Sequence, residues 1–276
     1  MPVSSWDKRL RLNTADQIAI NYVSQVPLAL ALERLVEARR YQKVELVRPI
    51  LDLGCGDGIF SRTARGITVD LGVDPDSREI ALAKKSGSYT SCVTAYGDDI
   101  PVDTGVFNTV ISNSVIEHIQ EIGPVLTEIH RVLGPQGKFV FTAPSENFDK
   151  YSNINLLLET LGLAGTAAKF RGFYNRFWKH FHYYELDKWE SLLADHGFNV
   201  LESSRLNSRK NCQVNDALAP FAILSKVYRR ILNRWVLSAK FRRPFAKFLC
   251  PYILKFLEGS EVDMNGGLVF IVAQKN

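Results

Sequence analysis

Three glycines alternate with other residues in a short stretch, residues 51–60, where an apolar run ends. Gly54, Gly56 and Gly58 lack a Cβ, so the backbone there can take positive φ values and approach a ligand closely. Asp52, just before this turn, can offer its carboxylate to a cationic amino group. The stretch therefore predicts a bound cofactor of the nucleotide type, and the alternative is a tight turn that binds nothing.

A second acidic side chain ends the next apolar run. Residues 68–73 lead to Asp74, which is followed by Pro75. A carboxylate at the tip of a strand can accept hydrogen bonds from both hydroxyls of a ribose. Asp70 is the alternative for this role, but Asp74 ends the run and Pro75 stops the strand. We therefore predict that Asp74 binds a ribose.

The glycine spacing differs from the dinucleotide fingerprint Gly-x-Gly-x-x-Gly, because Ile59 stands where the third glycine would fall. This difference disfavours NAD and FAD. A nicotinamide oxidoreductase is accordingly a less favoured class of enzyme.

Strand and helix patterns alternate through the first 143 residues, which predicts an open α/β sandwich built on a parallel sheet. The predicted strands are residues 50–53, 68–73, 91–95, 107–112, 138–142, 198–206 and 266–273. The predicted helices include residues 27–40, 59–65, 77–85 with Ser77 as N-cap, 124–133 and 187–196. In such sheets ligands bind at the carboxyl ends of the strands, where Gly54, Asp74, Asp99 and Asn113 would gather.

Five motifs together resemble the class I S-adenosylmethionine-dependent methyltransferases, in particular the broad type 11 group. In the order and spacing of that family they are Asp52-Leu-Gly54-Cys55-Gly56-Asp-Gly58, Gly72-Val-Asp74-Pro75-Asp76, Gly97-Asp98-Asp99-Ile100-Pro101, Ser112-Asn113-Ser114-Val-Ile-Glu117-His118 and Arg131-Val-Leu-Gly-Pro-Gln-Gly137. The resemblance covers roughly residues 48–145. Asn108 and Gln136 depart from the family pattern at positions that are not expected to touch the cofactor.

The resemblance implies S-adenosylmethionine as cofactor and a Rossmann-like sheet of seven strands, mostly parallel with an antiparallel last strand. It places the glycine turn beside the methionine portion, Asp74 at the ribose, and Asp98 or Asp99 at the adenine amino group. The other residues of the implied cofactor site are Cys55, Pro75, Ile100, Asn113, Ser114 and His118.

Length and composition are ordinary for a single soluble domain. The chain has 276 residues, of which 46% are hydrophobic and 23% are charged, so it can bury a large core. We expect one domain over residues 1–276, with a helical lead-in at 1–48, a cofactor-binding core at 49–143, a cap at 144–185 and a basic helical insertion at 207–262.

The four cysteines lie far apart, with no CxxC pair and no histidines at ligand spacing, so the sequence predicts neither disulfides nor a metal site. The start of the chain lacks the apolar core of a signal peptide, and no run approaches the roughly twenty apolar residues of a membrane span. We therefore expect a cytoplasmic protein, with peripheral membrane contact as the alternative.

The cap contains the candidates for acid–base chemistry. Methyl transfer is a displacement at a sulfonium carbon, so the protein mainly positions the acceptor, and a hydroxyl acceptor is helped by a general base. His182 is the first candidate for that base, with His180, Tyr183 and His118 as alternatives. Packing or hydrogen bonding within the cap is the competing role for His182.

The insertion is strongly basic, although the net charge of the chain is only +5. Residues 221–257 contain nine lysines and arginines and no acidic residue. This pattern favours contact with anionic membrane lipid through Arg229, Arg230, Arg242 and Arg243, and a solvated helical face is the alternative. The modest net charge and the lack of a base-reading module make nucleic acid an unlikely partner.

The sequence thus favours methyl transfer to a small-molecule acceptor, at a hydroxyl of a saccharide, a lipid-linked intermediate or a secondary metabolite. One alternative is a regulatory or scaffold protein that binds S-adenosylmethionine without turnover. Another is a peripheral membrane protein whose basic helices are its main functional surface.

Overall fold

The computed structural model describes residues 15–64, 66 and 68–276; the first 14 residues of the predicted lead-in, and Arg65 in the predicted helix 59–65, lie outside that part. The strands are β1 (Ile50–Leu53), β2 (Val69–Asp74), β3 (Tyr89–Thr94), β4 (Phe107–Asn113), β5 (Leu133–Pro144), β6 (Phe198–Leu206) and β7 (Leu268–Lys275). The helices are α1 (Ala15–Gln25), α2 (Leu28–Tyr41), α3 (Ile59–Ala64), α4 (Ser77–Ser86), α5 (Ile122–Val132), α6 (Asn153–Thr160), α7 (Ala164–Trp178), α8 (Leu186–Ala194), α9 (Arg209–Leu232) and α10 (Ala239–Phe256). Two short 3-10 helices span Ile116–His118 and Asp149–Tyr151.

The seven strands form one sheet in the order β3-β2-β1-β4-β5-β7-β6. Strands β1 to β5 pair in parallel, and β7 runs antiparallel to both β5 and β6. This topology confirms the predicted fold class, including the antiparallel last strand. Each predicted strand is present, and β5 begins earlier than predicted because Leu133 already pairs with Phe107.

Alternating side chains of the strands pack on opposite faces of the sheet. Ile50, Val140 and Phe270 pack in a core with α1, α2 and α10. Their neighbours Leu51 and Phe139 pack in a second core with α5 and α8. The two-residue period of a strand and helices on both faces produce this three-layer arrangement, in which the central strands such as β1 are buried on both sides.

Two local features differ from the sequence predictions. Helix α1 lies in the predicted helical lead-in, although its bounds were not predicted, and it is held by packing of its buried face, which includes Ile18 and Tyr22, against α2 and α10. The predicted N-cap at Ser77 is wrong: the carboxylate of Asp76 accepts a hydrogen bond from the backbone N–H of Arg78, and Ser77 is the first helical residue.

The inserted segments are helical. Helices α6 and α7 lie in the cap, and α9 and α10 lie between β6 and β7. Among the described residues, no helix combines the length and the apolar character needed to cross a bilayer.

Candidate functional site

A cavity of about 620 Å³ lies at the carboxyl ends of β1 and β4. The glycine turn and Asn113 form its floor, and side chains of α1, α2, α7 and α9 form its walls. The predicted site residues that line it are Gly54, Cys55, Gly56, Asn113, Ser114, His118 and His180. The site therefore lies at the carboxyl ends of the parallel strands, as the sequence predicted.

The three glycines of the turn all have positive φ, 74° at Gly54, 51° at Gly56 and 75° at Gly58. They differ in how closely other atoms pack against them. A Cβ on Gly54 would lie 2.4 Å from a methyl carbon of Val115, and one on Gly58 would lie 2.8 Å from the ring of Tyr89. A Cβ on Gly56 would meet no atom closer than 4.0 Å. Gly54 and Gly58 thus permit close packing, while Gly56 leaves open backbone at the cavity.

Asp74 holds the glycine turn from below. Its Oδ2 accepts a hydrogen bond from the N–H of Gly56 at 3.0 Å, and its Oδ1 accepts one from the N–H of Asp76 at 2.9 Å. Burial raises the pKa of the Asp74 carboxyl above its ordinary value. Asp74 and Pro75 lie beside the turn rather than in the cavity wall, so ribose binding by Asp74 stays a prediction.

Asp52 does not face the cavity, contrary to the prediction that it meets a cationic amino group. It is buried beneath the turn, where its Oδ2 accepts hydrogen bonds from the hydroxyls of Ser61 at 2.5 Å and Tyr89 at 2.6 Å. Burial raises the pKa of Asp52 to about 6. Its carboxylate therefore joins β1 to α3 and β3 instead of binding a ligand.

Asp98 and Asp99, of which one is predicted to meet adenine, and Ile100 of the implied cofactor site do not line the cavity. The side chain of Ile100 is buried in the second core, and its N–H donates to Oε1 of Glu128 at 2.8 Å. Asp98 and Asp99 are exposed. Contact of these two carboxylates with an adenine stays a prediction, whereas Ile100 has a packing role.

The sequence did not identify the charged side chains of α2 as part of the site. Glu37 is completely buried, and it accepts hydrogen bonds from Arg34 Nη1 at 2.6 Å, Ser114 Oγ at 2.6 Å and Thr142 Oγ1 at 2.8 Å. Glu33 and Arg34 line the cavity. A surface helix normally turns its charges to solvent, and only the three-residue spacing of Arg34 and Glu37 pointed to their pairing.

Three side chains meet where the 3-10 helix after β4 approaches the chain that follows α7. The side-chain ligand atoms of Glu117, His118 and His180 all lie within 4.8 Å of one another. The backbone carbonyl of Lys179 accepts a hydrogen bond from Nδ1 of His118 at 3.1 Å, and the N–H of Phe181 donates to the carbonyl of Glu117 at 2.8 Å. Burial, followed by the nearby His118, lowers the pKa of His180 to about 3, so its ring is neutral near pH 7.

The prediction that His182 is the general base is wrong. His182 is buried outside the cavity, with Nδ1 2.8 Å from the hydroxyl of Tyr184 and Nε2 2.8 Å from the carbonyl oxygen of Ile119. Nε2 therefore joins the cap to the segment that follows β4, and Nδ1 is engaged within the cap. Tyr183 is exposed and does not line the cavity either, so only His180 of these three candidates faces the site.

Helix α9 closes one side of the cavity through Arg229. This side chain is only 12% exposed and forms ion pairs with Asp57 of the glycine turn, at 2.8 Å, and with Glu79. Its guanidinium lies 4.7 Å from the ring centre of Trp235, whose Nε1 donates to Asp57 at 3.1 Å. The predicted lipid contact of Arg229 is therefore wrong, because its charge is used within the protein. Arg242 is also half-buried.

The chain belongs to the methyltransferase domain family, whose model matches residues 22–203, well over half of the chain. This result confirms the predicted class of protein and its cofactor, S-adenosylmethionine. It also explains why the five sequence motifs stand in the order and spacing of that family.

Individual relatives match over shorter stretches. The chain is 33% identical over 115 residues to the malonyl-[acyl-carrier protein] O-methyltransferase of Legionella pneumophila, which covers 40% of each protein. It is 25% identical over 138 residues to the ubiquinone biosynthesis O-methyltransferase of Rhodopseudomonas palustris, covering 46% of this chain and 54% of the relative. The chain thus spans about half the length, or less, of these curated relatives.

Among solved structures, an S-adenosylmethionine-dependent methyltransferase from Thermotoga maritima superposes with a TM-score of 0.55 at 14% identity, covering 90% of this chain and 92% of the other. A likeness at this identity establishes the fold alone.

The residues at the cavity fit the cofactor of this family. Gly56 leaves room for a ligand to approach the backbone closely, and the glycine turn lines the cavity. Tyr22 Oη and Asn215 Oδ1 are buried, and both residues line the cavity, yet these two atoms have no hydrogen-bond partner among the described residues. Buried polar atoms without partners are costly, so these atoms favour a polar ligand.

Proposed function

We propose that the protein transfers a methyl group from S-adenosylmethionine to a hydroxyl of a small amphipathic acceptor, of the saccharide, lipid-linked or secondary-metabolite class. The observation that carries the proposal is a set of buried polar atoms that lack a partner among the described residues and belong to side chains lining one cavity beside the glycine turn. They are Tyr22 Oη and Asn215 Oδ1. A hydroxylated acceptor would supply the missing hydrogen bonds.

The remaining wall supports an acceptor with an apolar part. Leu30, Phe60, Phe148 and Trp178 line the same cavity. Helices α7 and α9 enclose it, which favours a small molecule over the surface of a macromolecule. Both curated relatives described above are named O-methyltransferases, which supports oxygen as the methylated atom.

The two histidines that line the cavity, His118 and His180, do not by themselves identify the group that deprotonates the acceptor. An efficient general base has a pKa near the working pH, and burial holds the pKa of His180 far below it, at about 3. Burial also lowers the pKa of His118. Burial therefore disfavours proton uptake by both imidazoles.

Replacing Asp74 by alanine should weaken S-adenosylhomocysteine binding by about 1–3 kcal/mol, because the turn loses its support and the ribose hydroxyls lose an acceptor. Isothermal titration of the two proteins measures the difference. The matched control is Asp70→Ala, which removes a carboxylate from the other end of the same strand, where it accepts hydrogen bonds from Arg48 and from the N–H of Ile50. Equal losses in both variants would contradict a specific role for Asp74.

Catalytic turnover is tested separately from cofactor binding. Protein incubated with methyl-labelled S-adenosylmethionine and a panel of hydroxylated amphiphiles should yield a labelled ether or ester. Binding of the cofactor without transfer to any acceptor would favour the non-catalytic alternative. Binding of NADH in place of S-adenosylhomocysteine would overturn the proposal.

A second proposal concerns the outer face of α10, which we infer to lie on an anionic membrane from the cytoplasmic side. Phe241, Phe245, Phe248 and Tyr252 recur at helical spacing and are exposed, Phe241 by 88% and Phe248 by 66%. The opposite face of the helix is buried in the first core. Exposed lysines and arginines flank the aromatic row at Lys240, Arg243, Lys247 and Lys255.

An aromatic row between basic side chains suits the interface of an anionic bilayer, with rings among the acyl chains and ammonium groups at the phosphates. The absence of acidic side chains from residues 221–257 removes any repulsion of the headgroups by this segment. An attached enzyme would reach a lipid-linked acceptor. Of the arginines that the sequence singled out, Arg230 and Arg243 are exposed and remain candidates for this contact.

Vesicles of phosphatidylglycerol and phosphatidylcholine should sediment the protein, and vesicles of phosphatidylcholine alone should not. Neutralising Lys240, Arg243 and Lys247 with glutamine should weaken binding to the anionic vesicles on the order of 100-fold, at about 1 kcal/mol for each charge. Phe241→Ser with Phe248→Ser should also weaken it, whereas Leu157→Ser, at an exposed position of α6, should not. Binding that is unchanged in the glutamine variant would contradict the assignment.

A further inference from the structure

Glu117, His118 and His180 form a compact group with the composition of a metal site, although His180 lies far along the chain from the other two. The group, here called the Glu–His–His cluster, offers one carboxylate oxygen and two ring nitrogens. Ligand atoms about 2.0–2.2 Å from one metal ion lie roughly 3–3.6 Å apart. Since the three atoms already lie within 4.8 Å of one another, small side-chain rotations would close them on an ion.

The hydrogen bonds around the cluster are those of an oriented ligand set. The carbonyl oxygen of Lys179 can only accept, so Nδ1 of His118 carries the hydrogen and Nε2 keeps its lone pair. That Nε2 lies 3.8 Å from Oε1 of Glu117. The bond between the N–H of Phe181 and the carbonyl of Glu117 fixes the two segments against each other. The backbone thus holds the cluster before any ion binds.

A second observation is independent of this spacing. Glu117 is only 2% exposed, and its Oε2 has no hydrogen-bond partner in the described part of the chain. Nδ1 of His180 is likewise buried and unpaired there. A buried carboxylate and a buried imidazole nitrogen without partners are unfavourable, and a bound cation would satisfy both.

We propose that the Glu–His–His cluster binds one divalent first-row transition-metal ion in the wall of the cavity. Two imidazoles and one carboxylate favour Zn²⁺, Co²⁺, Fe²⁺ or Mn²⁺ over Ca²⁺ and Mg²⁺, which prefer oxygen ligands. Three protein ligands leave coordination positions open, and all three side chains line the cavity. If the proposed methyl transfer holds, an acceptor hydroxyl in an open position would become more acidic.

Other charged side chains near the cluster oppose or favour the binding of a cation. Lys179 and Lys226 act on the histidines and Arg34 acts on Glu117, all as positive charges that oppose a cation. Glu33 and Glu37 near Glu117 act in the opposite sense. The site therefore suits an ion held by coordination to nitrogen rather than one held mainly by net negative charge.

The experiment uses the full chain, stripped with a chelator and dialysed. Titration with CoCl₂ should produce visible absorption that saturates at one ion per chain, and calorimetry with ZnCl₂ should give the same stoichiometry. Glu117→Gln and His118→Ala should each weaken binding by at least 10–100-fold, as loss of a ligand or its support does. His196→Ala, at a histidine whose Nδ1 contacts the carbonyl oxygen of Leu192 outside the cavity, should bind as the unmodified chain does.

Each variant is checked by its thermal transition, so that a folding defect is not taken for a lost ligand; Glu117→Gln preserves the side-chain shape, and His118 is partly exposed. No saturable binding by the stripped chain, or binding that survives both ligand variants, would overturn the proposal. A parallel titration with S-adenosylhomocysteine separates the two proposals. Cofactor binding without metal binding rejects the metal site alone, and metal binding without cofactor binding rejects the methyl-transfer proposal alone.

Discussion

Glu37→Ala should lower the free energy of unfolding by about 3–5 kcal/mol, the cost of breaking a buried ion pair from one side. Glu37 is completely buried and binds Arg34, Ser114 and Thr142 at once. Alanine would leave the guanidinium without its closest anion and the Ser114 hydroxyl without its acceptor, and it would leave Thr142 only the longer bond to Asn113 Oδ1. It would also detach α2 from the ends of β4 and β5, which form part of the cavity floor.

Urea denaturation of the variant against the unmodified chain measures this loss. The matched control is Glu33→Ala, one turn earlier on α2, where the carboxylate lies 3.7 Å from Arg34 Nη1 and is partly exposed. The control should lose no more than about 1 kcal/mol, as partly exposed ion pairs do. If the two variants were equally stable, Glu37 would not be the group that holds α2 on the sheet.

The second large effect is a dependence of stability on pH that comes from Asp52. Burial raises the pKa of this carboxyl to about 6 in the folded chain, from an ordinary value near 3.8. Because the folded state holds the proton more tightly, the stabilisation is complete below about pH 4 and is lost as pH rises through about 6. Two pKa units correspond to about 3 kcal/mol.

Asp52→Asn removes this titration and keeps an oxygen that can accept from Ser61 and Tyr89. The stability of the variant relative to the unmodified chain should therefore increase by about 3 kcal/mol between pH 4 and pH 7.5. At Asp70, burial would raise the pKa, but the hydrogen bonds from Arg48 and from the N–H of Ile50, together with the charge of Arg48, outweigh burial and lower it. Asp70→Asn should accordingly shift in the opposite direction. A stability difference for Asp52→Asn that does not vary with pH would show that this carboxyl titrates normally.

The sequence by itself determined the sheet. Apolar runs, glycine turns and helix patterns are local signals, and they placed every strand. The antiparallel direction of β7 was implied by the resemblance to the methyltransferase family and is confirmed by the sheet topology. These local signals also placed the site at the carboxyl ends of β1 and β4, because the carboxyl ends of parallel strands all lie at one edge of the sheet. Gly54, Gly56 and Asn113 were predicted for the same reason.

Only the tertiary structure decided which polar side chains face the cavity. His182 and His180 are two residues apart, yet one binds Tyr184 in the cap and the other faces the cavity. The N–H of His180 is still bonded to the carbonyl of Asn175 at the end of α7, whereas His182 lies in the irregular chain beyond that helix. The charges of α2 and Arg229 of α9 resembled solvated helix faces in sequence, and packing turned them inward, where buried partners offset the loss of water.

The same limit applies to the Glu–His–His cluster. His180 is separated in sequence from Glu117 and His118 by α5, β5 and most of the cap, so no local spacing could reveal the cluster. Their meeting depends on how the cap packs against the end of β4, which long-range contacts decide. Local sequence patterns specify elements and their order, whereas the pairing of distant side chains depends on the packing of those elements.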